Sequence, residues 1–159
     1  MHPSKLKTIY LSLLLAFMCY LLPWSGLVLK LRPDFVLLVL IFWLVRAPNL
    51  CNIGTAWLLG LMVDLVTGGT FGQYALAYTV AAFFAVYYQR RLVLFNGTQQ
   101  IFYVFVLLLI AQITLLILKA FTGVEPVGFT YFLPSISGVV VWQIAIAVGL
   151  NTGVRSRAR

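Results

Sequence analysis

The sequence predicts an all-α membrane protein, a single domain over residues 1–159 built from six transmembrane helices with short loops. Three observations carry that prediction. Hydrophobic residues make up 63% of the chain and charged residues 9%, at a mean hydropathy of +1.05, whereas a soluble surface normally needs about a quarter of its residues charged. Uncharged intervals run over 8–29, 47–63, 65–89, 92–118 and 126–154, and each can hold one crossing of about 20 residues, with 17 as a practical minimum. Turn-forming residues separate them: Pro33, Pro48, Asn49, Asn52, Gly68, Gly69, Asn96-Gly97 and Gly123 to Gly128.

The first helix is placed at 8–28, after Lys5 and Lys7. This start imitates a secretory signal, but no small-x-small cleavage site follows, so it is read as a retained helix. The second, at 33–48, contains only the eleven uncharged residues 35–45, about 16 Å at 1.5 Å per residue. It must take Asp34 and Arg46 as its ends, with the Arg46 guanidinium reaching toward headgroups. A single helix over 35–66 would instead carry Pro48 at mid-span. The third and fourth, at 52–67 and 71–89, are split by Gly68 and Gly69; the fifth lies at 99–121 and the sixth at 131–152.

Orientation follows from the basic residues. Lys5, Lys7, Arg46, Arg90, Arg91, Arg155, Arg157 and Arg159 fall on one side and Lys30, Arg32 and Lys119 on the other. Eight against three predicts that both termini are cytoplasmic. Tyr87-Tyr88 at one interface, and Trp24 and Tyr131-Phe132 at the other, suit aromatic belts. The net charge of +8 is accounted for by topology, since no nucleic-acid motif accompanies it; the tail Arg155 to Arg159 is compatible with contact to anionic lipid.

The inventory for chemistry is thin. His2 is the lone histidine and the carboxylates number three, which predicts no metal site and no cofactor. Cys19 falls inside helix 1 and Cys51 at a cytoplasmic turn, so both read as structural. Asp34 and Asp64 both fall toward the outer half, but the flanking motifs of an intramembrane aspartyl enzyme are absent. No catalytic residue is assigned and no enzyme is expected.

Asp34, following Pro33, has the position of a helix N-terminal cap. Asp64 demands more explanation. It lies twelve residues past Asn52, about 18 Å along the axis, where an ionised carboxylate costs something approaching 2.5–3.5 kcal/mol on insertion scales. Gly60 shares its face at i and i+4, Gly68 and Gly69 allow the backbone to turn, and Thr67 and Thr70 stand nearby. Two readings stand together: a buried acceptor for N–H groups at a helix junction, including a cap on helix 4, or a polar anchor in a pocket or partner groove.

These residues carry a resemblance. The run Leu31-Arg32-Pro33-Asp34, then Asn52-Ile53-Gly54, then Gly60-x3-Asp64-x3-Gly68-x3-Gly72 before Ala75-Leu76 resembles the MreD family of bacterial rod shape-determining membrane proteins. The specific motif covers 31–76; the second half matches in length and helix pattern. The resemblance implies a non-enzymatic scaffold subunit of the cell-elongation machinery in the inner membrane. Its implied partner is an MreC-like bitopic protein, and through it the MreB filament and the glycosyltransferase and transpeptidase enzymes of peptidoglycan synthesis. Arg32, Asp34, Gly60, Asp64, Gly68 and Gly72 are the candidates for a partner-binding surface or helix junction, with Gly60 expected to open toward the partner helix. Homodimerisation is a further expectation, and nucleic acid is not.

The family is also similar to the six-helix substrate-binding subunits of energy-coupling vitamin transporters, which keeps that function as the alternative. Ser12-x3-Ala16 offers a small-x3-small contact on helix 1. A transporter subunit would close polar side chains around a ligand, and the chain offers few beyond Asp64, Gln73, Gln112 and Gln143. That scarcity favours the scaffold.

Overall fold

The structure, a computed structural model, describes residues 3–23, 26, 32–47, 49–92, 97–123 and 132–155. Among them are six helices and no strand: α1 (Pro3–Leu21), α2 (Phe35–Arg46), α3 (Ile53–Thr67), α4 (Gln73–Leu92), α5 (Gly97–Phe121) and α6 (Leu133–Arg155). Trp24, Lys30, Leu31, Pro48, Asn96, Glu125, Tyr131 and the tail from Ser156 lie outside the described residues.

The local sequence explains most helix ends. At α2, Asp34 is the N-cap, its side chain accepting from the Leu37 N–H at 3.2 Å, and Arg46 sits in the last turn, where the helix dipole favours a cation. The Arg46 guanidinium lies 4.9 Å from the centre of the Phe42 ring. At α3, Asn52 and Thr55 form a reciprocal capping box with both bonds at 3.1 Å. Pro134 occupies the first turn of α6, where its missing N–H has no intrahelical acceptor to lose.

Several boundaries depart from expectation, three of them for a readable reason. The first helix stops at Leu21, well before residue 28, because Pro23 disfavours helical geometry in the residue ahead of it. The second is confined to twelve residues, with Asp34 as its cap outside it. The fourth begins at Gln73 because Phe71 and Gly72 belong to the turn, where Gly72 has φ +99.

Helices α2 and α4 form the centre. The first packs against α1, α4 and α6, and the second against α2, α3 and α5. Val36, Leu37, Leu38, Leu40, Ile41 and Leu44 of α2 are all buried, so this short helix is enclosed by the chain on most of its circumference. Opposite it, Ala81, Ala82 and Ala85 of α4 are buried, small side chains that let helices approach. Ser12 accepts from the Trp43 indole N–H at 2.7 Å, and Ala16 is buried, so the small-x3-small pair serves the contact of α1 with α2.

Among the described residues, Thr98–Phe121 is the segment long and apolar enough to cross a membrane by itself. Lys7–Leu21, Phe35–Arg46, Ile53–Thr67 and Leu133–Ile144 are shorter apolar segments. The six helices are present, and among the described residues one of them is both long and apolar enough to cross a membrane. Two polar pairs join helix α5 and its end to neighbouring helices: the Gln73 amide donates to the Thr122 hydroxyl at 3.3 Å and the Ser135 hydroxyl to the Gln112 carbonyl oxygen at 2.7 Å. Cys51, in the turn before α3, is buried, and burial pushes its thiol above the usual range, which leaves it a neutral packing group.

Candidate functional site

The ends of α1 and α3 and the starts of α2 and α4 gather at one pole of the bundle, and the six candidate residues fall there. The chain reverses between α3 and α4 through residues 68–72. Gly68 closes α3 in the left-handed conformation, φ 63 and ψ 15, with its N–H on the Asp64 carbonyl at 3.2 Å. Gly72, at φ +99, opens α4. A Cβ at either glycine would meet nothing within 4 Å; what each supplies is backbone freedom, with no neighbour pressing on it.

Gly60 has the opposite role. A Cβ built there would lie 2.4 Å from the Ala75 Cα, 2.6 Å from the Tyr74 carbonyl oxygen and 2.7 Å from the Ala75 nitrogen. The face expected to open toward a partner is therefore filled by α4 of the same chain. The two backbones touch, and only a residue without a side chain fits between them.

That close approach delivers the Asp64 side chain to the start of α4. Asp64 as a whole is 3% exposed. Its Oδ2 accepts from the N–H groups of Gly72 and Ala75, both at 3.1 Å, and its Oδ1 from the Tyr74 N–H at 2.9 Å. A helix leaves its first N–H groups without intrahelical acceptors and carries partial positive charge there. Asp64 answers three of those donors from a neighbouring helix, which removes the anion's need for water and locks the angle between α3 and α4. The Thr67 hydroxyl turns back onto its own helix, donating to the carbonyls of Val63 and Asp64 at 2.9 and 3.2 Å.

One turn along α4, Tyr78 repeats the connection toward α2. Its hydroxyl, on a fully buried side chain, donates to the Asp34 carboxylate at 2.6 Å from Oδ1 and 2.7 Å from Oδ2. Tyr74 and Tyr78 stack edge to face at 6.2 Å, with Tyr20 of α1 near Tyr74. Arg32 completes the group. Its guanidinium lies over the Tyr20 ring at 3.9 Å from the centroid and donates to the Tyr20 carbonyl, while its Nε is buried without a protein acceptor. Asp64 and Asp34 thus tie α3 and α2 to successive turns of α4, and Arg32 ties the segment before α2 to the end of α1.

Tyr20, Tyr74 and Tyr78 were not legible as site residues, because tyrosines in an apolar chain read first as interface belts. The spacing of Tyr74 and Tyr78, i and i+4 directly after a glycine turn, is the signal that could have marked them. Chemically the group holds two carboxylates satisfied by donors of their own chain. No three histidine, cysteine or acidic side chains gather into a metal-binding set among the described residues.

A family model described as rod shape-determining protein MreD matches residues 5–152. The Rod shape-determining protein MreD of Haemophilus influenzae is 37% identical over 76 residues, 48% of this chain and 47% of that protein. The chain therefore spans about half the length of that curated relative in the matched region. No solved structure matches.

Proposed function

The chain belongs to the MreD family of rod shape-determining membrane proteins, and from that premise we propose that it is a non-enzymatic, multi-pass inner-membrane scaffold of the cell-elongation machinery. In this reading it crosses the membrane six times with both termini in the cytoplasm, binds an MreC-like bitopic protein, and through it supports peptidoglycan synthesis guided by the MreB filament. One observation carries the scaffold over a catalyst or a ligand carrier. The buried carboxylates at the pole are taken up by donors of the chain itself, three backbone N–H groups on Asp64 and the Tyr78 hydroxyl with the Leu37 N–H on Asp34. Groups so engaged stiffen a junction; a vitamin-binding subunit would need them turned toward a cavity.

With the Gly60 face filled by α4, the partner surface falls on the outward side of α3, where Leu58, Met62 and Leu65 are exposed on the side away from Gly60. Lipid offers no hydrophobic drive for helices to associate, so such a contact rests on packing. The test is co-purification of a tagged MreC-like protein with the detergent-solubilised chain, alongside rescue of rod shape in depleted cells. Recovery of the partner and rescue by the wild type support the reading. Recovery of an ATPase-linked membrane subunit in its place would assign the chain to transport.

A further inference from the structure

Along α3 the exposed polar positions stand closer together than a bilayer is thick. At the pole, Thr67, Gly68, Gly69 and Thr70 are exposed, and at the other end of the helix the exposed Asn52 closes the capping box. Between them lie the fifteen residues Ile53–Thr67, about 22 Å at 1.5 Å per residue. Trp57, Leu58, Met62, Leu65 and Val66 are exposed along this stretch. A hydrocarbon core is about 30 Å thick, so α3 falls short by about 8 Å. Tilt would only shorten its reach across the membrane. Both polar ends are exposed, so the described chain does not cover them, and ordinary bilayer thickness would sink one of them in hydrocarbon.

The neighbouring helices repeat this depth. On α4, the exposed Tyr87 lies fourteen residues past Gln73, about 21 Å, where a tyrosine suits the headgroup level. On α2, the exposed Arg46 lies twelve residues past the Asp34 cap, about 18 Å, and its guanidinium leans back over Phe42, one turn nearer the pole. Helix α5 is longer, yet it is tied to α4 at two points: the Gln73 amide donates to the Thr122 hydroxyl, and the Tyr103 hydroxyl to the Phe84 carbonyl. Between those ties α4 runs eleven residues, about 16 Å, and α5 nineteen, about 28 Å. The depth between two ties cannot exceed the shorter path plus the reach of the tied side chains. Helix α5 therefore runs obliquely to α4, and its length adds little thickness.

We propose that the chain thins the bilayer beside α3, drawing the headgroup levels of the two leaflets to within about 22 Å of each other. The inference rests on the multi-pass reading above and concerns the chain before a partner helix covers α3. The experiment places single spin labels through Asn52→Cys, Leu58→Cys, Met62→Cys, Leu65→Cys and Thr70→Cys in full-length protein carrying Cys19→Ser and Cys51→Ala. The protein is reconstituted in dioleoyl phosphatidylcholine, and relaxation by oxygen is compared with relaxation by a water-soluble nickel chelate. Nickel is expected to dominate at positions 52 and 70, and oxygen at 58, 62 and 65. Oxygen dominating at 52 or 70 overturns the proposal, because a polar end would then lie in hydrocarbon of ordinary thickness. Nickel dominating at all five positions would put α3 outside the membrane and overturn the multi-pass reading along with the proposal. A second arm needs no variant and decides the matter should a labelled protein fail to fold. Unlabelled protein is reconstituted in phosphatidylcholine with myristoleoyl, oleoyl or erucoyl chains, which thicken the bilayer in that order under one headgroup. Its thermal midpoint is expected to fall along the series as the mismatch at α3 grows; a midpoint that stays level or rises overturns the proposal.

Discussion

The Tyr78 hydroxyl bridges both oxygens of the Asp34 carboxylate, at 2.6 and 2.7 Å, and so joins the cap of α2 to the second turn of α4. Tyr78→Phe keeps the ring and deletes this donor alone. Loss of one partner of a buried charged group costs about 1–3 kcal/mol, so the variant should melt measurably lower in a detergent thermal-shift assay. An unchanged midpoint would show that the bond contributes nothing to stability.

Asp64 should tolerate amide replacement better than apolar replacement. Asp64→Asn retains one carbonyl oxygen for the three N–H groups of Gly72, Tyr74 and Ala75, whereas Asp64→Leu leaves all three without this acceptor, at about 1–3 kcal/mol for the buried Ala75 N–H and less for the two that are part-buried. Protein level and shape complementation should rank wild type, Asn, Leu in that order. Identical behaviour of the two variants would contradict the junction described above.

The contact between Gly60 and Ala75 leaves no room for even a methyl group. Gly60→Ala should destabilise the isolated protein by about 1–3 kcal/mol through overpacking, and Gly60→Leu by more. Met62→Ala, on the exposed side of α3, should leave stability within about 0.5 kcal/mol while reducing recovery of the MreC-like partner. Thermal midpoint and partner yield measured on one preparation separate the two faces; a stable Gly60→Leu protein that loses its partner would reverse their assignment.

Topology offers a check independent of packing. Reporter fusions at the amino terminus, near Asn49 and Asn96 and at the carboxyl terminus should give cytoplasmic signals, and those near Lys30, Gly69 and Glu125 signals from outside. A carboxyl terminus that reports the periplasm would eliminate the arrangement of six crossings.

The sequence made the helices readable because charges, prolines and glycines interrupt long apolar runs. It also made Asp64 readable as an acceptor near the turn, since an acid in hydrocarbon must face donors and the nearest lay at the start of the next helix. It could not tell what approaches Gly60. A missing side chain announces that something comes close, and the identity of the neighbour is set by the long-range path of the chain, which here brings Ala75 against it. Tyr78 was hidden for a related reason: its partner Asp34 is 44 residues away, beyond any local pattern. The end of α1 was misjudged because hydropathy continues through Pro23 while helical geometry does not.

The span of the Asp64 bonds bears on how the chain is made. Its acceptor and donors are separated by only eight to eleven residues, so closing that loop costs little chain entropy. Once Ala75 has emerged from the ribosome, the acid and its donors are both available, and α3 with α4 is expected to enter the bilayer as one hairpin with its anion already coordinated. A nascent chain arrested with Leu92 already clear of the ribosomal tunnel should then insert with similar efficiency whether residue 64 is Asp or Asn, whereas one with only the residues before Gly72 clear of it should insert less well with Asp. The carboxylate that looks costly in a single helix is, for the hairpin, the latch that forms before the membrane is entered.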